Sequence, residues 1–123
     1  MIVKEVANLL RTSKLDGVDN IYPFFIPEDK QTSTETTDIL VTEVYDVPDS
    51  YGSDDIYSTE QAVQLNIFYG LHSKTVADTL EKSIVSFLMQ KNWRLTEKEG
   101  HSLDPDTRQL TQIMKFRKRN LWN

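Results

Sequence analysis

Apolar residues along the chain fall into two helical stripes separated by alternating runs. Ile2, Val6, Leu9 and Leu10 recur at helical spacing, with Lys4, Glu5, Asn8 and Arg11 on the other side, which predicts a helix over residues 1–12. Val76, Leu80, Ile84, Phe87 and Leu88 form a second stripe, with Asp78 and Lys82 outside it. They predict a helix over residues 74–90 with Ser73 as its N-cap. Between them, the β-branched Ile39, Val41, Thr42 and Val44 predict a strand over residues 38–45. Val63, Leu65 and Ile67 alternate with Gln64 and Asn66, so residues 61–69 read as a strand with one covered face. Residues 21–26, broken by Pro23 and closed by Pro27, read as an edge strand. Residues 92–97, with Trp93 and Leu95 on one face, and residues 108–116, after an Asp104-Pro105-Asp106 turn, supply two more.

Two polar stretches interrupt this pattern. Residues 28–37 read as a loop. Residues 46–59 carry Pro48, Gly52, three Ser and four Asp with little apolar content, and are expected to form a long exposed loop. Loops of that length in a small domain are usually functional or order upon a partner. The resulting order is α-β-β-β-α-β-β, without internal repeats. It implies a single α+β domain: a mostly antiparallel or mixed sheet of about five strands, with two helices on one face.

The 123 residues can bury one core without disulfide or metal staples. There is no cysteine, which excludes a thiol nucleophile, a Cys-ligated zinc and an iron–sulfur cluster, and fits a reducing compartment. No apolar run approaches the roughly 20 residues that span a bilayer, so no membrane role is expected. Residues 1–11 read as an amphipathic stretch and not as a signal peptide. Charge changes the picture more. Net charge is −5, yet residues 1–30 carry four basic and five acidic groups, residues 31–73 eight acids and no Lys or Arg, and residues 74–123 ten basic and six acidic groups. The three segments are thus −1, −8 and +4.

Catalytic chemistry is not announced. His72 and His101 stand in neither metal nor triad spacing and read as solvated loop residues. No Gly-x-Ser-x-Gly and no phosphate-cradling Gly-rich loop occurs, so catalytic, cofactor-binding and metal residues are all expected to be none. Asp46, Asp49, Asp54 and Asp55 could gather a hard cation, but their spacing is not that of an EF-hand, and a solvated acidic loop is the simpler reading. Asp104 and Asp106 flank Pro105 and read as a turn. Lys115, Arg117, Lys118 and Arg119, interleaved with Phe116, could contact nucleic acid; the acidic whole-chain pI of about 5.0 opposes this, and an acidic protein surface suits them at least as well. Tyr51, Ile56 and Tyr57 are apolar groups in the acidic stretch and read as partner contacts. The candidate assembly contacts are therefore Asp46, Asp49, Tyr51, Asp54, Asp55, Ile56, Tyr57, Lys115, Arg117, Lys118 and Arg119.

Several stretches in order carry a resemblance: Tyr22-Pro23-Phe24-Phe25-Ile26-Pro27, then Thr37-Asp38-Ile39-Leu40-Val41-Thr42-Glu43, Gln64-Leu65-Asn66-Ile67-Phe68-Tyr69, Asn92-Trp93-Arg94, and His101-Ser102-Leu103-Asp104-Pro105-Asp106-Thr107-Arg108-Gln109-Leu110. Over nearly its whole length the chain resembles small proteins of the tail and head–tail modules of siphophages and prophages of Gram-positive bacteria. The element order also resembles tail terminator proteins of long-tailed phages. That resemblance implies a non-enzymatic virion protein without cofactors, located at the head-proximal end of the tail and assembled in the host cytoplasm. It implies a hexameric ring of copies that caps the tail tube, halts tube growth and offers a surface to the head–tail connector. Its partners would be itself, the major tail tube protein and the connector, with DNA only passing through the lumen. A head-completion or neck protein on the portal side is the nearest alternative. A nucleic-acid-binding module using residues 115–119, or a small hydrolase built on the scattered Asp residues, are further ones. The −8 and +4 segments could supply complementary lateral faces for a ring, and acids lining a lumen would repel phosphate.

Overall fold

The computed structural model describes residues 1–31, 34–52, 55–73 and 76–121; for residues 49–52, 55–57 and 120–121 the description is of the backbone. Helix α1 (Ile2–Thr12) buries Ile2, Val3, Val6, Ala7 and Leu10, a stripe set by helical spacing. Helix α2 (Ala77–Gln90) buries Leu80, Ile84 and Leu88 on one side. Six strands make one mixed sheet: β1 (Asn20–Pro23), β2 (Asp38–Gly52), β3 (Asp55–Phe68), β4 (Arg94–Lys98), β5 (Ser102–Leu103) and β6 (Leu110–Leu121). Their order is β1-β2-β3-β6-β4, with β5 also on β6; β1 runs parallel to β2 and every other pair is antiparallel.

Register decides which side of the sheet is covered. Val41 pairs with Leu65 and Leu65 with Met114, while Ile39 pairs with Ile67 and Val63 with Phe116. These residues share a face by the two-residue period of a strand, and they join the buried stripes of both helices and Trp93 in one apolar cluster. On the opposite face Leu40, Asn66 and Ile113 form one row and Thr42, Gln64 and Lys115 another, all half-buried. The expected α+β architecture holds, with both helices contributing to the cluster on a single face of the sheet.

The expected long loop does not hold. Residues 46–52 and 55–59 are the outer halves of two long paired strands, in register from Asp46↔Gln61 to Gly52↔Asp55. Low apolar content misled because these residues lie beyond the core. There a strand is held by its backbone ladder and its cross-strand neighbours. Pro48 is accommodated beside a register shift between Pro48 and Ser50, with further shifts at Glu43/Tyr45 and Ser50/Tyr51. The last strand likewise runs past Phe116 to Leu121, paired with β3 throughout. The basic run is thus a sheet strand and not a cationic tail.

Helix and strand ends also shift. Ser73 does not cap α2: Val76 holds the cap position in extended backbone, with no side-chain cap bond, and the Thr37 hydroxyl instead donates to Ser73 Oγ at 3.3 Å. Asn92 and Trp93 belong to the end of α2 and not to a strand. Asn92 is left-handed (φ 71), its N–H reaching the Met89 carbonyl at 3.1 Å, while the Trp93 N–H reaches the Leu88 carbonyl at 2.9 Å. This is the paired-bond arrangement that closes a helix over a left-handed residue, with buried Trp93 against buried Leu88 as its apolar contact.

Candidate functional site

Glu81 is fully buried on α2, one residue after Leu80 on the helix's core-facing side. An isolated carboxylate there would be strongly unfavourable, so the surrounding elements supply donors. The Tyr69 hydroxyl, just past β3, donates to Oε2 at 2.6 Å, and His101 Nε2, between β4 and β5, reaches the same oxygen at 2.7 Å. Lys98 Nζ, closing β4, lies 3.1 Å from Oε1, and Gln112 Nε2 of β6 donates to it at 3.4 Å. Burial acts to raise the Glu81 carboxyl, but the hydrogen bonds from Tyr69, His101 and Lys98 prevail and hold it below the usual carboxylate value. Burial, followed by the bond to Glu81, pushes the Tyr69 hydroxyl well above its ordinary value.

Asp78, one helical turn earlier, brings a third ligand-type oxygen, so that Asp78, Glu81 and His101 offer atoms within 4.8 Å of one another. Lys98 already places a positive charge on Glu81, and the carboxylate's two oxygens accept four donors. That arrangement satisfies an anion and ties α2 to β3, β4 and β6. Among the described residues no buried side-chain nitrogen or oxygen lacks a partner.

A second region is the part of the sheet beyond the core. Among the described side chains of β2, β3 and β6, the apolar cluster stops at Val41, Val63 and Phe116. β1 pairs with β2 only from Asp38 to Val41, and β4 pairs with β6 only from Met114 to Arg117. Residues 43–52, 55–62 and 117–121 therefore continue as a three-stranded arm, β2-β3-β6. Glu43, Val44, Asp46, Val47 and Pro48 along its β2 edge are exposed.

The sequence profile of the family described as "Protein of unknown function (DUF806)" matches residues 1–121. The chain belongs to the DUF806 family. No curated protein sequence matches it. Among the described residues of this DUF806 chain, no helix is long and apolar enough to cross a membrane.

The arm of the DUF806 chain gathers the candidate contacts read from the sequence. Asp46 is exposed on β2 and accepts from Gln61 Nε2 at 3.4 Å. Asp49, Tyr51, Asp55, Ile56 and Tyr57 belong by backbone to the two hairpin strands, their side chains lying outside the described residues, as Asp54 does entirely. The basic residues meet this acidic hairpin inside the same sheet. Arg117 is 4.0 Å from Glu60, Lys118 pairs in register with Gln61, and Arg119 pairs with Glu60 and donates from Nε to Ser58 Oγ at 3.4 Å. Lys115 is held by Glu97 of β4 at 2.9 Å, and that carboxylate pushes its ammonium up. Lys118 Nζ stands 5.8 Å over the buried Trp93 ring. Part of the charge segregation along the sequence is thus consumed within one chain.

Two features escaped sequence reasoning. Glu81 was a signal available in principle, an acid at three- and seven-residue spacing from Ile84 and Leu88 on the apolar side of a helix. Phe24 was not. It is 39% exposed, adopts φ 70 and is fixed by its N–H bond to the Val41 carbonyl at 2.8 Å, beside Phe25 at 68% exposure. A bulky residue in left-handed backbone is strained, and nothing local in an Ile-Tyr-Pro-Phe-Phe run encodes it.

Proposed function

We propose that the chain is a structural subunit of a long-tailed phage that caps the tail tube as a ring, stops tube polymerisation and presents a surface for head joining. The observation that carries the reading is the arm. Residues 43–52, 55–62 and 117–121 continue as paired strands past Val41, Val63 and Phe116, where the apolar cluster of the described side chains ends. A polar, three-stranded extension from a small helix-covered sheet is a device for contacting other subunits. The resemblance to tail-module proteins in the motifs around Tyr22, Asp38, Gln64, Trp93 and His101 supplies the biological setting. The exposed pair Phe24 and Phe25, in the first of those motifs, offers a second contact surface for the tube or connector.

The neck-protein alternative differs in its consequence for tails, so one experiment serves both. A phage lacking this gene is expected to make overlong tubes and unattached tails. Tails of normal length beside unjoined heads would assign the protein to the portal side, and normal tails normally joined would overturn both readings. Nucleic-acid binding is disfavoured by the engagement of Lys115 with Glu97 and of Arg117 with Glu60, which occupies two of the four cations of the run.

A further inference from the structure

We propose that copies of this chain join edge to edge, the outer edge of β2 in one copy adding to the outer edge of β6 in the next, with Asp46 facing Lys118 across the seam. This rests on the ring reading above but not on the tail. Three observations lead to it.

First, the arm has two edges that no described strand covers. β2 loses its only outer neighbour after Val41, and the ladder of β6 with β4 ends at Arg117. Edge strands with unpaired backbone groups are templates for another strand. Second, the edges differ in sign. Residues 43–52 of β2 carry Glu43, Asp46 and Asp49 and no cation, whereas residues 118–121 of β6 carry Lys118 and Arg119 and no acid. Two β2 edges repel each other, as do two β6 edges, so the like-with-like pairings that would give a closed dimer are disfavoured against the mixed one. The register shifts and Pro48 on β2 further suppress indiscriminate pairing.

Third, the direction and height of the edges agree. β2 and β6 are each antiparallel to β3, so they point the same way. Rotation about an axis running along the strands keeps that direction, and the neighbour's β2 meets β6 as a parallel pair. Asp46 pairs with Gln61 and Gln61 with Lys118, so these residues lie at one level and on one face of the arm. Joining unstaggered edges sets Asp46 of one copy beside Lys118 of the next. The contact is head-to-tail, which closes into a ring when the rotation fits.

The absence of native cysteine makes a covalent test clean. Within one chain Asp46 and Lys118 are separated by β3, about 10 Å at two strand spacings, beyond the Cα separation a disulfide spans. In the double variant Asp46→Cys/Lys118→Cys any disulfide must therefore link different chains. Oxidation of the purified protein at high concentration, and of tails assembled with it, should give a ladder of covalent multimers ending at one size, while each single variant gives no ladder. Absence of inter-chain bonds in both preparations overturns the proposal.

A charge exchange supplies the second arm. Asp46→Lys/Asp49→Lys and Lys118→Glu/Arg119→Glu should each weaken self-association at least tenfold while keeping a cooperative thermal transition. Mixed in equal amounts they should associate again, because alternating copies restore an acid–base seam at every contact. Failure of the mixture to recover, with both variants folded, also overturns it. Covalent rings from a protein whose loss leaves phage tails normal would retain the edge contact and remove the tail function. Overlong tails without inter-chain bonds would do the reverse.

Discussion

The Tyr69 hydroxyl donates to the buried Glu81 carboxylate at 2.6 Å, joining the end of β3 to the centre of α2 through the apolar cluster. His101 and Lys98 complete the ion's shell from the far side of the sheet edge. The Glu81 carboxylate thus draws its partners from several separate elements, and it is a point where single substitutions should be informative.

Glu81→Ala removes the partner of Tyr69, His101, Lys98 and Gln112 and leaves Lys98 without its counter-charge. A loss of about 2–5 kcal/mol is expected, from the Tyr69 and Gln112 donors left unsatisfied and the cavity left behind, while the partly exposed Lys98 regains water. Tyr69→Phe, which deletes one donor, should lose about 1–3 kcal/mol. Urea unfolding of the two variants checks both the size and the order of the effects.

The same pair makes stability depend on pH at both extremes. Folded Glu81 binds its proton less readily than the unfolded chain does. Its contribution is full above the ordinary value of 4.5 and is lost as pH falls through that value towards the lower folded one. Tyr69 is shifted upward, so its contribution is full below its ordinary 10.0 and declines as pH rises beyond it. Melting temperature measured across pH should fall at both ends, and Tyr69→Phe should flatten the alkaline fall.

Gly70 follows β3 where the chain passes closest to residues 34–37. A Cβ there would meet the Glu35 carbonyl oxygen at 2.6 Å and its carbon at 2.9 Å, both backbone atoms. Gly70→Ala should cost about 1–3 kcal/mol through forced displacement of that segment. A melting temperature equal to the parent's would show that the segment moves aside freely.

Asn92 closes α2 in left-handed backbone. Asn92→Gly should leave stability unchanged or slightly higher, while Asn92→Val should lose roughly 1–2 kcal/mol. Calorimetry on the two variants separates a backbone requirement from any use of the Asn side chain.

Replacing residues 49–57 by Asn-Gly shortens the arm and keeps a two-residue hairpin connection. Because the apolar cluster of the described side chains ends before these residues, melting temperature should drop by only a few degrees, whereas the proposed assembly into rings or tails should fail. A large loss of stability would place the arm in the folding core.

What was legible in the sequence follows the core. Val63, Leu65 and Ile67 face the helices and are separated by residues that do not, so periodicity locates β3 and its covered face directly. The stripes of α1 and α2 are visible for the same reason. Where strands leave the core the periodic signal vanishes: the exposed Asp46 and Pro48 look like loop residues, and only the partner strand makes them a strand. Ser73 resembles a cap, but local backbone puts Val76 in that place. The partners of Glu81 were hidden for a different reason. His101 is twenty residues away along the chain, and its partner stood in a helix where charged residues are ordinarily solvated.

The position of β6 has a consequence for how the subunit is made. It comes last of the strands in chain order, yet it lies between β3 and β4 and supplies Met114 and Phe116 to the middle of the cluster. During synthesis the hairpin and both helices can emerge and remain without a completed sheet until this strand is released. Its pairing with β3 joins residues far apart in sequence, a slow step compared with local helix formation. A nascent or truncated chain therefore lacks the β6 side of the arm altogether, and under the proposed edge-to-edge contact only a chain translated through β6 could meet a neighbour.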